Sequence, residues 1–83
     1  MFIYIIKSVK YQRLYVGISK DVKTRLVAHN NGKVKSTKHW RPWIVIYTEL
    51  CNNYSDARER EKYLKSYKGV KEKRRIVNNF NIK

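Results

Sequence analysis

Two apolar segments near the start of the chain predict a pair of β-strands. Residues 2–7 and 13–18 are rich in β-branched and aromatic side chains, which suit a pleated sheet, and a short loop separates them. If the strands pair antiparallel with Tyr4 opposite Tyr15, the turn between them centres on residues 9–10. The chain is therefore expected to begin with a β-hairpin.

A helix is predicted directly after this hairpin, because the residues that commonly begin and end helices lie at suitable positions. Ser19 or Asp21 can cap its N-terminus, and the helix is expected to run to about Asn30. Asn31 and Gly32 follow, and a glycine directly after a helix commonly ends it.

The second half of the chain predicts one more strand and two more helices. Residues 43–47 are β-branched and aromatic, Ser55 is the expected cap of a long helix that Gly69 ends, and residues 70–79 suggest a short basic helix. The order β-β-α-β-α-α predicts an α+β fold, a small three-stranded antiparallel sheet flanked by helices. We expect residues 1–83 to form a single domain.

The charge balance indicates which partners the protein has. Twenty Lys and Arg residues oppose six Asp and Glu residues, giving a formal net charge of +14. This balance favours nucleic acid first and an anionic membrane surface second. No apolar run approaches the ~20 residues that span a bilayer, so we expect no membrane association. The lone Cys51 fits a reducing compartment, and we expect a cytoplasmic, nucleoid-associated protein that is a monomer or weak dimer.

Glu61 stands apart from the other acidic residues, which have ordinary structural explanations. Asp21 and Asp56 lie at predicted helix N-termini, and Glu72 is spaced to pair with Arg75 on one helix face. Glu61, by contrast, falls on the stripe of its helix that should face the core.

Two interpretations of Glu61 remain open. It shares the core-facing stripe with Ala57, Leu64 and Lys68, so it can reach the rim of the core and pair with one of the many cations. It can also bind a divalent metal, because Mg²⁺ commonly takes only one or two protein carboxylates and completes its shell with water and phosphate.

Arg25 and His29 are four residues apart and therefore neighbours on one helix face. Taken singly, Arg25 is one more phosphate contact and His29 a residue favoured by the helix dipole. Together they offer a guanidinium that stabilises charge on a reacting phosphate and an imidazole that can relay a proton. Tyr4 and Tyr15 are either ordinary core aromatics or hydroxyl groups of the same site.

This ordered set of residues resembles the motifs of the GIY-YIG endonuclease superfamily. The matching stretches are Phe2-Ile3-Tyr4 for GIY, Tyr15-Val16-Gly17 for YIG, Arg25-Leu26 with His29-Asn30, Arg41-Pro42-Trp43, and Arg60-Glu61. Phe2 replaces the first glycine of the motif, which is no chemical group of the reaction. The resemblance covers residues 2–68 and is strongest to small standalone bacterial members similar to the catalytic domain of the repair excinuclease UvrC.

The resemblance implies hydrolysis of DNA phosphodiester bonds with one divalent metal ion, Mg²⁺ or Mn²⁺, bound by Glu61. It also implies that Arg25 stabilises the transition state. Tyr15 would activate water, directly or through a proton relay, while Tyr4 and His29 would orient the substrate.

Two basic clusters are expected to contact DNA phosphates without reading base edges. The candidate contact residues are Lys35, Lys38, Trp40, Arg41, Lys65 and Lys68. Trp40 can stack on an exposed base or pack against Pro42.

No recognition helix or zinc finger is visible, so we expect low sequence specificity, a duplex or branched DNA substrate and a partner protein that supplies specificity. The resemblance to the UvrC catalytic domain implies a role in DNA repair or recombination. The alternative is a non-catalytic basic module that binds DNA or RNA, to which an inward carboxylate at Glu61 would bring no benefit.

Overall fold

The computed structural model describes the backbone of residues 1–82 and the side chains of residues 1–80. The elements are β1 (Phe2–Ser8), β2 (Leu14–Ser19), α1 (Val22–Asn30), a 3₁₀ helix (Lys38–Trp40), β3 (Trp43–Leu50), α2 (Tyr54–Lys65) and α3 (Val70–Ile82). The strands form one antiparallel sheet in the order β2-β1-β3. The predicted α+β class and element order are confirmed. No helix within residues 1–82 is both long and apolar enough to cross a bilayer.

Strand β1 lies at the centre of the sheet because both of its faces are apolar. Ile3 and Ile5 point to one face and are fully buried against α2 through Ala57 and Leu64. The other face carries the buried side chains of Tyr4 and Ile6, which pack with residues of α1 and β3. Full burial of an aliphatic side chain stabilises the fold by about 1.5–3 kcal/mol, so this strand anchors two layers of helix at once.

The hairpin register differs from the prediction. Tyr4 pairs with Gly17, and Tyr15 pairs with Ile6, so the two tyrosines are diagonal neighbours on one face of the sheet. The turn therefore centres one residue later than predicted. The physical reason lies at Gly17, where a Cβ atom would overlap the Tyr4 hydroxyl oxygen and lie 2.5 Å from Tyr4 Cζ. Only a glycine opposite Tyr4 leaves room for the phenol ring.

Helix α1 begins and ends within the predicted limits. The Asp21 side chain caps it by accepting a hydrogen bond from the Thr24 backbone N–H at 3.2 Å, which settles the choice between Ser19 and Asp21. At the other end Asn31 donates its backbone N–H to the Val27 carbonyl at 2.9 Å.

Helix α2 begins earlier and ends earlier than predicted. The cap is Asn53, whose side-chain oxygen accepts a hydrogen bond from the Asp56 backbone N–H at 2.8 Å, so the assignment of Ser55 as cap was wrong. The last helical residue is Lys65, because Ser66 has an extended backbone. Gly69 therefore does not end α2.

Gly69 instead allows the chain to turn sharply between α2 and α3. A Cβ atom on Gly69 would overlap the Tyr63 carbonyl oxygen, so a larger residue would force the two helices apart. Lys68 lies in this connection and is exposed, so its prediction as a member of the core-facing stripe was wrong. Strand β3 and helix α3 both extend three residues beyond their predicted C-terminal limits.

Arg60 joins three elements through two carboxylates. Its guanidinium contacts Glu49 of β3 at 2.9 Å and Glu72 of α3 at 2.6 Å. These contacts hold the pKa of Glu72 below its usual range, chiefly through hydrogen bonding to Arg60. Arg75 also lowers the pKa of Glu72 through its charge, as the predicted helical spacing suggests, but the direct ion pair of Glu72 is the long-range one with Arg60, which local spacing could not indicate.

Candidate active site

Tyr4, Tyr15 and His29 form a compact aromatic cluster between the hairpin and α1. The Tyr4 hydroxyl lies 2.8 Å from His29 Nε2, and Tyr4 and His29 are both buried. The ring centroids of Tyr15 and His29 lie 5.0 Å apart, and those of the two tyrosines 6.3 Å apart. The structure thus brings together three of the five residues predicted to be catalytic.

A hydrogen-bond chain continues from His29 to Thr37, a residue that the sequence analysis missed. His29 Nδ1 lies 2.8 Å from Thr37 Oγ1, and that hydroxyl donates to the Val34 carbonyl at 3.3 Å. Because a threonine hydroxyl has one hydrogen, Thr37 accepts from His29 Nδ1–H, and Nε2 is left to accept the Tyr4 hydroxyl proton. Thr37 therefore sets the tautomer of His29.

Thr37 is held in place by contacts to β3. The Trp43 indole N–H donates to the Thr37 carbonyl at 3.0 Å. Asn30, at the end of α1, bonds to both backbone groups of Trp43, through its amide nitrogen at 3.1 Å and its amide oxygen at 2.6 Å. No local pattern among the basic residues around Thr37 marked it as buried, because its position depends on these distant partners.

Arg25 and Glu61 act electrostatically on the same tyrosine. Burial raises the pKa of Tyr4, interaction with Arg25 opposes that rise, and Coulombic interaction with Tyr15 and Glu61 adds to it. Burial, and then the positive charge of Arg25, lower the pKa of His29 to about 4. The imidazole is therefore neutral near pH 7, as a hydrogen bond from the Tyr4 hydroxyl to Nε2 requires.

The lowered pKa of His29 predicts a loss of stability in mild acid. The unfolded chain binds a proton at His29 below its ordinary pKa of 6.5, whereas the folded chain resists protonation down to about 4. The contribution of neutral His29 to the free energy of unfolding is thus fully present above pH 6.5 and falls progressively as the pH approaches 4. Between pH 7 and pH 5 we expect the free energy of unfolding to fall by about 2 kcal/mol from this group.

Urea denaturation of the wild type and a His29→Gln variant at both pH values measures this contribution. The variant should lose less stability on acidification, because carboxylates such as Asp21 and Glu72 are common to both proteins. Equal losses in the two proteins would show that His29 does not control the acid response.

Glu61 lies at the margin of the core with two cations on its carboxylate. It is 8% exposed. Arg58 contacts one carboxylate oxygen at 3.1 Å and Lys65 the other at 3.2 Å. The Lys65 ammonium also lies 5.7 Å from the centroid of the Tyr15 ring, so Lys65 links Glu61 to the tyrosine cluster.

The residues around Glu61 fit a divalent metal site with one protein carboxylate. Within the described part of the chain, no group of three or more His, Cys, Asp or Glu residues could enclose an ion. Arg58 and Lys65 are about half exposed, with 54% and 51% of their side chains accessible, so both can move aside. A single carboxylate with open neighbours suits Mg²⁺, which keeps several waters and binds substrate phosphate.

The predicted DNA-contacting residues lie mostly on the surface. The exposed ones are Lys35, Lys38, Arg41, Lys65 and Lys68. Trp40 is half-buried, because Tyr11 packs edge-to-face against its ring at 5.2 Å and the Arg13 guanidinium covers it at 4.1 Å. These contacts occupy part of the Trp40 ring surface on which a base would stack. Contact of the basic residues with DNA stays a prediction.

Comparison with known families is consistent with this geometry. Residues 1–75 match the GIY-YIG catalytic domain, and the chain belongs to the GIY-YIG family. The domain is of nuclease type, and GIY-YIG nucleases act on DNA.

The relatives are small bacterial proteins of one group. A UPF0213 protein of Staphylococcus epidermidis is 43% identical over 67 residues, which cover 80% of each chain. A UPF0213 protein of Staphylococcus aureus is 40% identical over 76 residues, covering 90% of this chain and 92% of the relative. Another, from Staphylococcus saprophyticus, is 40% identical over 67 residues. No solved structure matches the chain.

Proposed function

We propose that the chain is a metal-dependent DNA endonuclease that hydrolyses phosphodiester bonds with low sequence specificity and a preference for structured DNA. The observation that carries the proposal is the buried Tyr4–His29 hydrogen bond with Arg25 and Glu61 acting on the same hydroxyl group. A cation that can bind phosphate and a carboxylate that can bind metal thus both act electrostatically on one buried hydroxyl group of a strongly basic protein.

Glu61 is the residue that would hold Mg²⁺ or Mn²⁺. When bound there, the ion supplies Lewis-acid stabilisation of the phosphate and a more acidic water molecule. Arg58 and Lys65 contact the Glu61 oxygens and hold the carboxylate at the edge of the site.

The remaining residues divide the binding and proton-transfer tasks. The Arg25 guanidinium binds non-bridging phosphate oxygens and stabilises the charge that develops on them. Tyr4 is fixed by His29 and orients the scissile phosphate. Tyr15 is less buried than Tyr4 and lies beside both His29 and Lys65, so we assign to its hydroxyl the activation of water, directly or through a proton relay.

Thr37 is expected to act as a positioning residue for His29. Thr37→Val keeps the shape but removes the acceptor for Nδ1–H, so His29 loses its fixed tautomer and the cleavage rate should fall about tenfold. Thr37→Ser keeps the hydroxyl and should restore most of the rate. The pH dependence of single-turnover cleavage separates the roles: the Val variant should show a shifted profile, and a purely structural role would leave the profile unchanged.

We place this activity in DNA repair or recombination, in the cytoplasm or nucleoid, with residues 1–83 as one nuclease domain. We expect this domain to be a monomer or weak dimer. It would recognise its target through DNA structure or through a partner protein, because its exposed basic residues contact phosphates rather than base edges.

Cleavage assays on a panel of labelled DNA molecules test the proposal. Duplex, single-stranded, flap and branched DNA are incubated with the protein at low salt in Mg²⁺, Mn²⁺ or EDTA. Strand cleavage that requires metal and favours flap or branched DNA is the expected result. Metal-independent cleavage would contradict the role of Glu61.

A binding module without catalysis is the second candidate function. The observation that favours it is the pair of cations on Glu61, since an ion-paired carboxylate has a structural role already. Salt-sensitive binding with no cleavage of any DNA in the panel would support this candidate.

A further inference from the structure

The connection between α2 and α3 presents one large aromatic side chain almost fully to solvent. Tyr67 is 94% exposed, the highest value among the large hydrophobic residues of the described chain. An aromatic ring placed in water gains nothing from burial or from packing. A ring held out in this way on a basic surface is available to a partner.

Tyr67 lines a groove of basic character. The groove has a volume of about 440 Å³, and its lining residues are Tyr67, Lys68, Val70, Lys71 and Arg74. A second cavity of about 260 Å³ shares Val70 and Arg74 with it and extends the apolar floor to Leu14 of β2. Neither cavity is lined by an acidic residue within the described side chains.

The groove lies close to the proposed metal site. Lys65, the last residue of α2, contacts the Glu61 carboxylate at 3.2 Å. Tyr67 follows two residues later, and two residues span at most about 7 Å between Cα atoms. A nucleotide in the groove would therefore lie within a few nucleotides of the phosphate that Arg25 and Glu61 are proposed to hold.

We propose that this α2–α3 groove binds an unpaired nucleotide of the DNA substrate. Tyr67 stacks on the base, and Lys68, Lys71 and Arg74 contact the flanking phosphates. Inside a duplex both faces of each base are covered by neighbouring pairs, so a protruding tyrosine can stack only where a base is unpaired. This inference rests on the proposed nuclease function and names its substrate class, DNA with a flap or single-stranded branch.

Charge and surface chemistry favour this occupant. Three cations beside one aromatic ring match the alternation of phosphate and base along a single strand, and stacking on an aromatic ring is tolerant of sequence. Sequence-tolerant stacking agrees with a domain that selects DNA by structure.

The inference is tested by binding, measured in EDTA so that cleavage plays no part. Fluorescence anisotropy gives the dissociation constants of wild type, Tyr67→Ala and Tyr67→Phe for a flap DNA and for a duplex of matched length. Tyr67→Ala should weaken flap binding about tenfold and leave duplex binding unchanged, because only the flap offers an unpaired base. Tyr67→Phe keeps the ring and should bind both DNAs like wild type.

A matched control and a direct stacking signal complete the experiment. Tyr54→Ala removes another exposed tyrosine, 56% accessible at the start of α2, and should change neither affinity. A 2-aminopurine base in the flap should be quenched by wild type and Tyr67→Phe but not by Tyr67→Ala. An equal effect of Tyr67→Ala on flap and duplex, or no effect on either, would overturn the inference.

The outcomes also separate this inference from the proposed function. If wild type cleaves flap DNA but Tyr67→Ala binds it normally, the groove assignment alone is wrong. If Tyr67 shows the stacking signature but no DNA is cleaved in any metal, the nuclease proposal alone is wrong.

Discussion

Replacement of Glu61 with glutamine is expected to reduce DNA cleavage by at least about a thousandfold, while DNA binding stays intact or becomes tighter. Glutamine has the shape of glutamate but no charge, so it is a poor ligand for Mg²⁺ and forfeits several kcal/mol of transition-state stabilisation. Binding should not suffer, because removal of a negative charge beside a polyanion relieves repulsion. Single-turnover cleavage and anisotropy on the same DNA measure the two effects.

Glu59→Gln is the matched control for this variant. It removes the same charge from the same helix at an exposed position. The control should cleave at nearly the wild-type rate. The lost ion pairs of Glu61 with Arg58 and Lys65 involve half-exposed partners and are worth less than about 1 kcal/mol each, so both variants should remain folded. Equal activity of Glu61→Gln and Glu59→Gln would show that Glu61 has no catalytic role.

The second large effect is expected from Gly17→Ala. A Cβ atom at this position would overlap the Tyr4 hydroxyl and lie 2.8 Å from Tyr4 Cε1, so the phenol ring must move and its 2.8 Å contact with His29 must break. Tyr4 is buried in the core, and displacing it should lower the free energy of unfolding by about 1–3 kcal/mol. The cleavage rate should fall by more than about a hundredfold, because the hydroxyl and the imidazole are both misplaced.

A double variant separates folding from catalysis at this position. In Gly17→Ala with Tyr4→Leu the smaller side chain makes room for the new methyl group, so thermal denaturation should show much of the lost stability restored. Cleavage should stay low, because the hydroxyl group is absent. A Gly17→Ala protein with wild-type stability and rate would contradict the close packing of Tyr4 on Gly17.

The sequence predicted the elements well where a local signal was strong and unambiguous. Asp21 and the Asn31-Gly32 pair lie at the ends of α1 as expected, because capping depends on neighbouring residues alone. The predicted N-cap of α2 was wrong, because Asn53 and Ser55 are both favourable capping residues and only the three-dimensional structure decides between them. The predicted strand pairing in the hairpin was wrong, with the turn centred one residue too early, because the loop lacks a strong turn sequence.

The sequence predicted the residues of the candidate site from their order along the chain, which resembles that of the family, but it did not predict their arrangement in space. Tyr4, Tyr15 and His29 do cluster, but their diagonal arrangement depends on the register. Thr37 was not predictable, since it lies eight residues beyond His29 in a basic loop and is placed there by contacts with β3. The link from Arg60 to Glu72 escaped prediction for the same reason, because it joins two helices.

The central claim is most directly tested by cleavage that is started by metal. Flap DNA is fully bound by excess wild-type protein in EDTA, and Mg²⁺ is then added to the same sample while cleavage is followed with time. Strand cleavage that begins on addition of Mg²⁺ with wild type, and does not begin with Glu61→Gln, is the predicted result. Fully bound DNA that stays intact with wild type in both Mg²⁺ and Mn²⁺ would contradict the account and identify the chain as a nucleic-acid-binding module.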